Sequence, residues 1–285
     1  MANHGQILFL SLMNLIGKVQ NEWEQLWRHV IRPARTVYPE GALGPPRFKL
    51  KGREIHRKDF YLDNRRGLTF GCSLWTPVEG KYPCVVYMHG NSSNRTEGVE
   101  YLGKLLANNI AMCCFDFSGC GNAEGEYVSL GVHEQDDLEA VLAYLTQFPS
   151  ITEVALWGRS MGAVTALLYL PGCDFIKAVV VDSPFLSFKQ LVEDMCRKTT
   201  KIPSFVLSPA FRLLKSTIKE KAQFSLSDLN PMKAVPHLKV PAMFVVGVED
   251  EVIPIEHTMQ LFEAYPGEDK VIKMVLGGHN DNRPD

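Results

Sequence analysis

The run Gly158-Arg159-Ser160-Met161-Gly162 sets one hydroxyl between two glycines, directly after the apolar stretch VALW and directly before MGAVTALLYL. A serine at a turn from strand into helix is held out in a strained backbone conformation, with its hydroxyl at the positive end of the helix dipole. Side chains two residues to either side would collide with the neighbouring strand and helix, hence the glycines. Such a hydroxyl is a candidate nucleophile, because serine attacks near neutral pH once a base takes its proton and a carboxylate orients that base. The partners of a serine at this kind of turn follow it in the order acid, then histidine, each after the carboxyl end of a strand. AMFVVG runs into Val248-Glu249-Asp250-Glu251-Val252-Ile253-Pro254, and VIKMVL runs into Gly277-Gly278-His279. Only His279 of the 8 histidines directly follows a terminal core strand, so it is the expected base. Asp250 is the expected acid, its shorter carboxylate suiting a hydrogen bond to an imidazole. Glu249 and Glu251 compete with it, and Asp182, at the end of an earlier strand, is an outsider.

Acyl transfer through a serine also needs two donors for the tetrahedral oxyanion, and backbone N–H groups serve without reorganising. The residue after the nucleophile, Met161, should supply one. The loop after CVVYM, His89-Gly90-Asn91-Ser92-Ser93-Asn94, should supply the other from Asn91, with Ser92 as its substitute. His89 is expected to hydrogen-bond within that loop and not to act as a base. The Gly-rich stretch 116–127 lacks the strand, GxGxxG, helix spacing of a dinucleotide site. No HExxH, paired CxxC or clustered ligand set appears, so the chemistry calls for no metal and no cofactor.

These residues need a scaffold that brings distant strand ends together. Segments 55–62 and 68–76, parted by Asp63-Asn64-Arg65-Arg66-Gly67, predict an antiparallel hairpin. Segments 84–88, 110–117, 154–157, 177–182, 242–247 and 271–276 are strand-length and continuously apolar, as strands buried on both faces of a parallel sheet are. Helical patterns fall between them at 97–109, 133–148, 160–170 and 256–265. The expectation is an α/β fold, a mostly parallel sheet opened by an antiparallel hairpin, with helices on both faces. Almost sixty residues separate the sixth and seventh of these strands, too many for a bare loop, and predict a helical cap insertion at about 187–238. Within it, 189–221 carries eight Lys or Arg against three Asp or Glu, interleaved with apolar residues. A structural excursion with a solvated basic face is one reading, and a lid over the site is the other.

Before the sheet, Leu8, Leu12, Leu15, Val19, Trp23, Leu26 and Val30 recur in steps of three and four, predicting an amphipathic helix over 1–32. Its apolar stripe is expected either to pack on the fold or to make peripheral membrane contact. The apolar decamer 7–16 is too short to span a bilayer, no secretory signal pattern is present, and with Ala at position two the myristoylation pattern is absent as well. Segment 33–53, rich in Pro and Gly, reads as a surface linker, and 54–285 as the folded domain.

Composition agrees with a globular protein: 285 residues, 46% hydrophobic and 22% charged, with 30 Lys and Arg against 32 Asp and Glu. A net charge of -2 offers no global grip on nucleic acid. Seven cysteines, several inside apolar runs, are expected to be buried thiols in a reducing, cytoplasmic compartment.

Taken in order, HGNSSNR, DFSGCGNAEGEYVSLG, HEQDDLEAVLAYL, LWGRSMGAV, VVDSPF, VEDEVIP and GGHNDNRP resemble the α/β-hydrolase superfamily, in particular its serine aminopeptidase-like division. IRPARTVYP, residues 31–39, is similar to the leading segment of that group, so the resemblance runs from about residue 30 onward. It implies a serine hydrolase with no cofactor, acting on small-molecule or lipid acyl esters, thioesters or amides. Serine at the elbow sets the chain apart from the epoxide hydrolase and haloalkane dehalogenase branches, which use a carboxylate. An aminopeptidase would also need an acidic site for the substrate's amino terminus, which the sequence does not display. Family members commonly carry a further helix beside the histidine loop, whereas six residues follow His279 in this sequence. Two alternatives stand beside the esterase reading: an inactive scaffold that binds membranes or partners, and a deacylase of lipids or S-acyl proteins at a membrane surface.

Overall fold

The computed structural model describes residues 20–199 and 204–283. Among them nine strands form one sheet: β1 Arg47–Leu50, β2 Arg53–Asp63, β3 Thr69–Pro77, β4 Tyr82–Met88, β5 Ala111–Phe115, β6 Ile151–Arg159, β7 Ile176–Asp182, β8 Ala242–Gly247 and β9 Lys270–Val275. They lie in the order β1-β2-β3-β5-β4-β6-β7-β8-β9. From β1 through β2 and β3 to β5 the neighbours are antiparallel, and from β5 through β4 to β9 they are parallel. This is the mostly parallel α/β arrangement expected from the apolar runs, with the hairpin at the antiparallel side.

Alternation along the central strands separates two cores, because successive side chains leave a strand on opposite faces. On β5, Met112 and Cys114 join Tyr87, Trp75 and the residues Tyr101, Leu102 and Leu106 of helix α2, Val99–Ala107. On the other face Ala111, Cys113 and Phe115 join Leu138 and Val141 of α3, Glu134–Leu145, and Val164 and Leu167 of α4, Met161–Tyr169. Helices therefore cover both faces. Cys72, Cys84, Cys113, Cys114 and Cys120 are buried free thiols, each pushed up in pKa first of all by burial.

Two expectations are corrected. Segment 33–53 is not an irregular linker throughout, since it contains a 3-10 turn at Glu40–Leu43 and the strand β1. Arg47-Phe48-Lys49-Leu50 alternates polar and apolar, and Lys51 and Gly52 both take positive φ, 48° and 80°, closing a tight hairpin onto β2. The extra strand moves the long insertion to between β7 and β8. The second correction concerns the first helix, whose residues 1–19 lie outside the described residues, together with Leu8, Leu12, Leu15 and Val19. In its described part, α1 (20–31), the buried face is Trp27 and Ile31, 5% and 0% exposed, whereas Leu26 is 47% exposed. Trp23 and Val30 pack at the margin, so the stripe is rotated by about one residue toward the larger indole.

The insertion holds α5 Phe188–Thr199, α6 Ser204–Ala222 and α7 Pro231–Ala234. Leu214, Ile218 and Ala222, one turn apart along α6, are buried in the main core with Trp27, over whose ring the Lys221 ammonium stands at 4.7 Å. Buried His257 of α8, Ile255–Ala264, ties α5 down. Its Nδ1 accepts the Leu186 N–H at 2.9 Å, which leaves Nε2–H to donate to Asp194 at 3.0 Å. Among the described residues no helix is long and apolar enough to cross a membrane.

Candidate active site

Ser160 stands between the end of β6 and the start of α4 with φ 50° and ψ −111°, a conformation that costs a side-chain-bearing residue about 1–3 kcal/mol. Its own N–H donates to the Asp182 carbonyl at 2.8 Å, which fastens the turn to β7. A Cβ on Gly158 would lie 2.3 Å from the backbone of Gly162, and a Cβ on Gly162 would lie 2.1 Å from the Met88 carbonyl oxygen of β4. Both glycines are thus required by crowding between turn, helix and strand, as the spacing predicts.

The loops after β8 and β9 bring the other two side chains to this serine. His279 Nε2 is 3.0 Å from Ser160 Oγ, and His279 Nδ1 is 2.7 Å from Asp250 Oδ2. With Asp250 ionised, Nδ1–H donates to the carboxylate, and Nε2 is left to accept the serine proton. The second Asp250 oxygen accepts the N–H groups of Val252 and Ile253 at 3.0 and 2.7 Å, fixing the carboxylate from behind. Burial raises the Asp250 pKa, but the hydrogen bond and charge of His279, with the Ile253 N–H, outweigh it, and the net shift is downward. An ionised acid beside a buried imidazole is the electrostatic state that stabilises an imidazolium.

The competing carboxylates have other partners. Asp182 is buried and paired bidentately with Arg283, at 2.8 and 3.0 Å. Glu251 accepts the backbone N–H of His279 at 3.4 Å, and Glu249 is exposed. His89 is fully buried: Nδ1–H donates to the Gly90 carbonyl at 2.7 Å, and Nε2 accepts the Phe117 N–H at 3.0 Å. It holds its loop, as expected.

Met161 opens α4, where an N–H has no acceptor within the helix. The loop after β4 passes beside Ser160, a Cβ on Gly90 being 3.8 Å from that of Ser160. Ser92 N–H donates to the Asn91 side chain at 3.0 Å, so the substitute donor is engaged, while the Asn91 N–H meets no acceptor among the described residues. Glu97 steadies the loop by accepting the Tyr87 hydroxyl at 2.7 Å and the Gly90 N–H at 3.3 Å. Sequence reasoning missed Glu97, Arg159 and Arg283, whose only signals were their positions beside motif residues. Among the described residues no three His, Cys, Asp or Glu side chains are grouped to hold a metal ion.

The family model described as serine aminopeptidase, S33, matches residues 81–234, just over half of the chain, and covers Ser160. The chain belongs to this family of α/β-hydrolases. Among its relatives is the uncharacterized protein YqkD of Bacillus subtilis (strain 168), 26% identical over 64% of this chain and 60% of that protein. Protein ABHD12B of Homo sapiens is 27% identical over 68% of this chain and 54% of its own. The chain thus matches little more than half of these curated relatives' length. Among solved structures, the Pyrococcus furiosus esterase Pf2001 superposes with a TM-score of 0.63 at 21% identity, covering 87% of this chain and 91% of that one. The acetyl xylan esterase from Paenibacillus sp. R4 gives 0.64 at 18% identity, covering 92% and 88%. At such identities the likeness is one of fold.

Proposed function

We propose that the S33-family chain is a serine hydrolase that cleaves acyl esters, thioesters or amides through Ser160, His279 and Asp250. The observation that carries this reading is the unbroken path of 3.0 and 2.7 Å from the serine hydroxyl through the imidazole to a carboxylate of lowered pKa. Ser160 Oγ attacks the acyl carbonyl carbon as its proton passes to His279 Nε2. Asp250 stabilises the resulting imidazolium, and the Met161 and Asn91 N–H groups receive the oxyanion. Collapse of the tetrahedral intermediate breaks the bond to the leaving group, which takes the proton from His279, and leaves an acyl-serine. Water then attacks this ester with His279 again as base, releasing the acid and restoring the hydroxyl. Esters and thioesters fit better than peptides, since no acidic group is assigned to an amino terminus.

The insertion α5–α7 acts in this reading as the cap that meets the acyl group. Phe188 of α5 and Phe211 of α6 stack at 6.4 Å, and Phe185 joins them edge-on at 6.4 Å, an apolar cluster on the segment that follows β7. Steady-state hydrolysis of p-nitrophenyl esters of increasing chain length tests both claims. Ser160→Ala and Asp250→Asn should each lose about 10⁴-fold in kcat, with a chain-length optimum that Phe188→Ala shifts. Turnover untouched in Asp250→Asn, or undiminished in Ser160→Ala, would refute the assignment.

A further inference from the structure

The loop that carries His279 is short. Its N–H groups are met by carboxylates, Gly278 N–H donating to Asp281 at 2.7 Å and His279 N–H to Glu251 at 3.4 Å, while its carbonyls are met by a pair of guanidinium groups. Arg159, the residue before the nucleophile, donates from one terminal nitrogen to the carbonyls of His279 and Asp281 at 2.7 and 2.8 Å. Arg283 donates to the Gly278 carbonyl at 2.9 Å, and more weakly to those of Asp281 and His279 at 3.4 Å each. Arg283 is itself clamped to buried Asp182 at the end of β7, and its second terminal nitrogen also reaches Ser183 Oγ at 3.3 Å. Arg159, Arg283 and Asp182 are 7%, 7% and 1% exposed, so these bonds lie out of bulk water.

We infer that Arg159 and Arg283 are positioning residues for the reaction proposed above, holding the His279 backbone so that its ring spans Ser160 and Asp250, with Asp182 as the anchor of Arg283. The inference rests on that functional reading for its catalytic consequence, though not for the geometry. An arginine fork can serve two carbonyls or a carbonyl and a carboxylate at once, whereas a lysine ammonium is a single point charge. Because Arg159 adjoins Ser160, one side chain couples the nucleophile's strand directly to the base's loop. The clamp also gives Asp182 a role distinct from that of Asp250. The Asp182 carboxylate touches neither ring nor hydroxyl, and it reaches the His279 loop through Arg283.

Two measurements on the full chain test this. In the first, Arg283→Ala, Arg283→Lys, Asp182→Asn and the double variant Asp182→Asn with Arg283→Ala are assayed on a p-nitrophenyl ester beside Ser160→Ala. The expected result is a fall in kcat of about 10- to 100-fold in Arg283→Ala with KM within about twofold, the signature of a base displaced by less than an ångström or so. Arg283→Lys should recover little of it, added guanidinium ion should recover part, and the double variant should be no worse than either single one. In the second, independent of turnover, hydrogen exchange is followed at the amides of 277–283, together with the proton resonance of the His279 Nδ1–H bond. Arg283→Ala should speed exchange in that loop alone and broaden the resonance away. Failure of the intact chain to hydrolyse any ester would refute the proposed function and leave the second measurement to judge the clamp. An unchanged loop and resonance in Arg283→Ala, or an active intact chain whose kcat ignores the substitution, would overturn the inference itself.

Discussion

Replacing Gly162 by alanine tests the elbow at its tightest point. The added methyl would start 2.1 Å from the Met88 carbonyl oxygen and 2.7 Å from its carbon, where ordinary contact begins at 3.4 Å. Neither side is a flexible chain end. One is the backbone of the central strand β4, the other the first turn of α4, so the helix must retreat by more than an ångström. Overpacking of this kind costs about 1–3 kcal/mol. A displacement of that size at Met161 and Ser160 should lower kcat/KM on the order of 100-fold. Urea unfolding followed by tryptophan fluorescence reads the first quantity, and ester hydrolysis reads the second. Gly103 is the control: it lies exposed in α2 with nothing within 4 Å of its would-be Cβ, so Gly103→Ala should gain about 0.5–1 kcal/mol of helix propensity and leave activity alone. A Gly162→Ala chain as stable and active as the original, or equal damage from Gly103→Ala, would refute the reasoning.

Trp27→Ala should cost about 3–5 kcal/mol in the same unfolding assay, because the indole is buried in the main core under α6. A loss below 1 kcal/mol or so would mean that α1 is peripheral to the fold. Burial depresses the His257 pKa below its ordinary 6.5, with Asp194 offsetting part of the shift, so the folded chain binds that proton less readily than the unfolded one. The corresponding stability is complete above pH 6.5 and is lost as pH falls toward the folded value. Hydrogen exchange in 186–199, corrected for intrinsic rates, should therefore accelerate on acidification below 6.5, and His257→Gln should abolish that dependence. Asp250 has the matching sign, since its folded pKa lies below 3.8: its contribution is present above that pH and lost below it. The stability gap between the original chain and Asp250→Asn should narrow as unfolding is measured at successively lower pH.

Much of the sheet was legible because parallel strands buried on both faces must be apolar at every position, as VVY in β4 and VVV in β7 are. Ser160, Asp250 and His279 stood out because each sits within a few residues of such a strand's carboxyl end, where the fold leaves little freedom. β1 escaped notice because its four residues lie among prolines, and its signal resides in the positive φ of Lys51 and Gly52. The face of α1 was misread because a stripe drawn through Leu26 weighs all apolar residues alike, while burial favours the larger Trp27. Arg159 and Arg283 were invisible for a different reason. Arg159 finds main-chain carbonyls 120 and 122 residues away, and Arg283 joins carbonyls 5 residues or fewer away to a carboxylate 101 residues away; backbone acceptors leave no residue-type signature, and no pattern announces a pairing at that distance.

The most direct test is intact-mass spectrometry after exposure to a fluorophosphonate, which captures a serine only when a base activates its hydroxyl. One phosphonyl adduct, mapped to Ser160, lost in Ser160→Ala and greatly slowed in His279→Gln, is the predicted result. A folded chain that takes up no label, or that keeps its label after Ser160→Ala, would contradict the account.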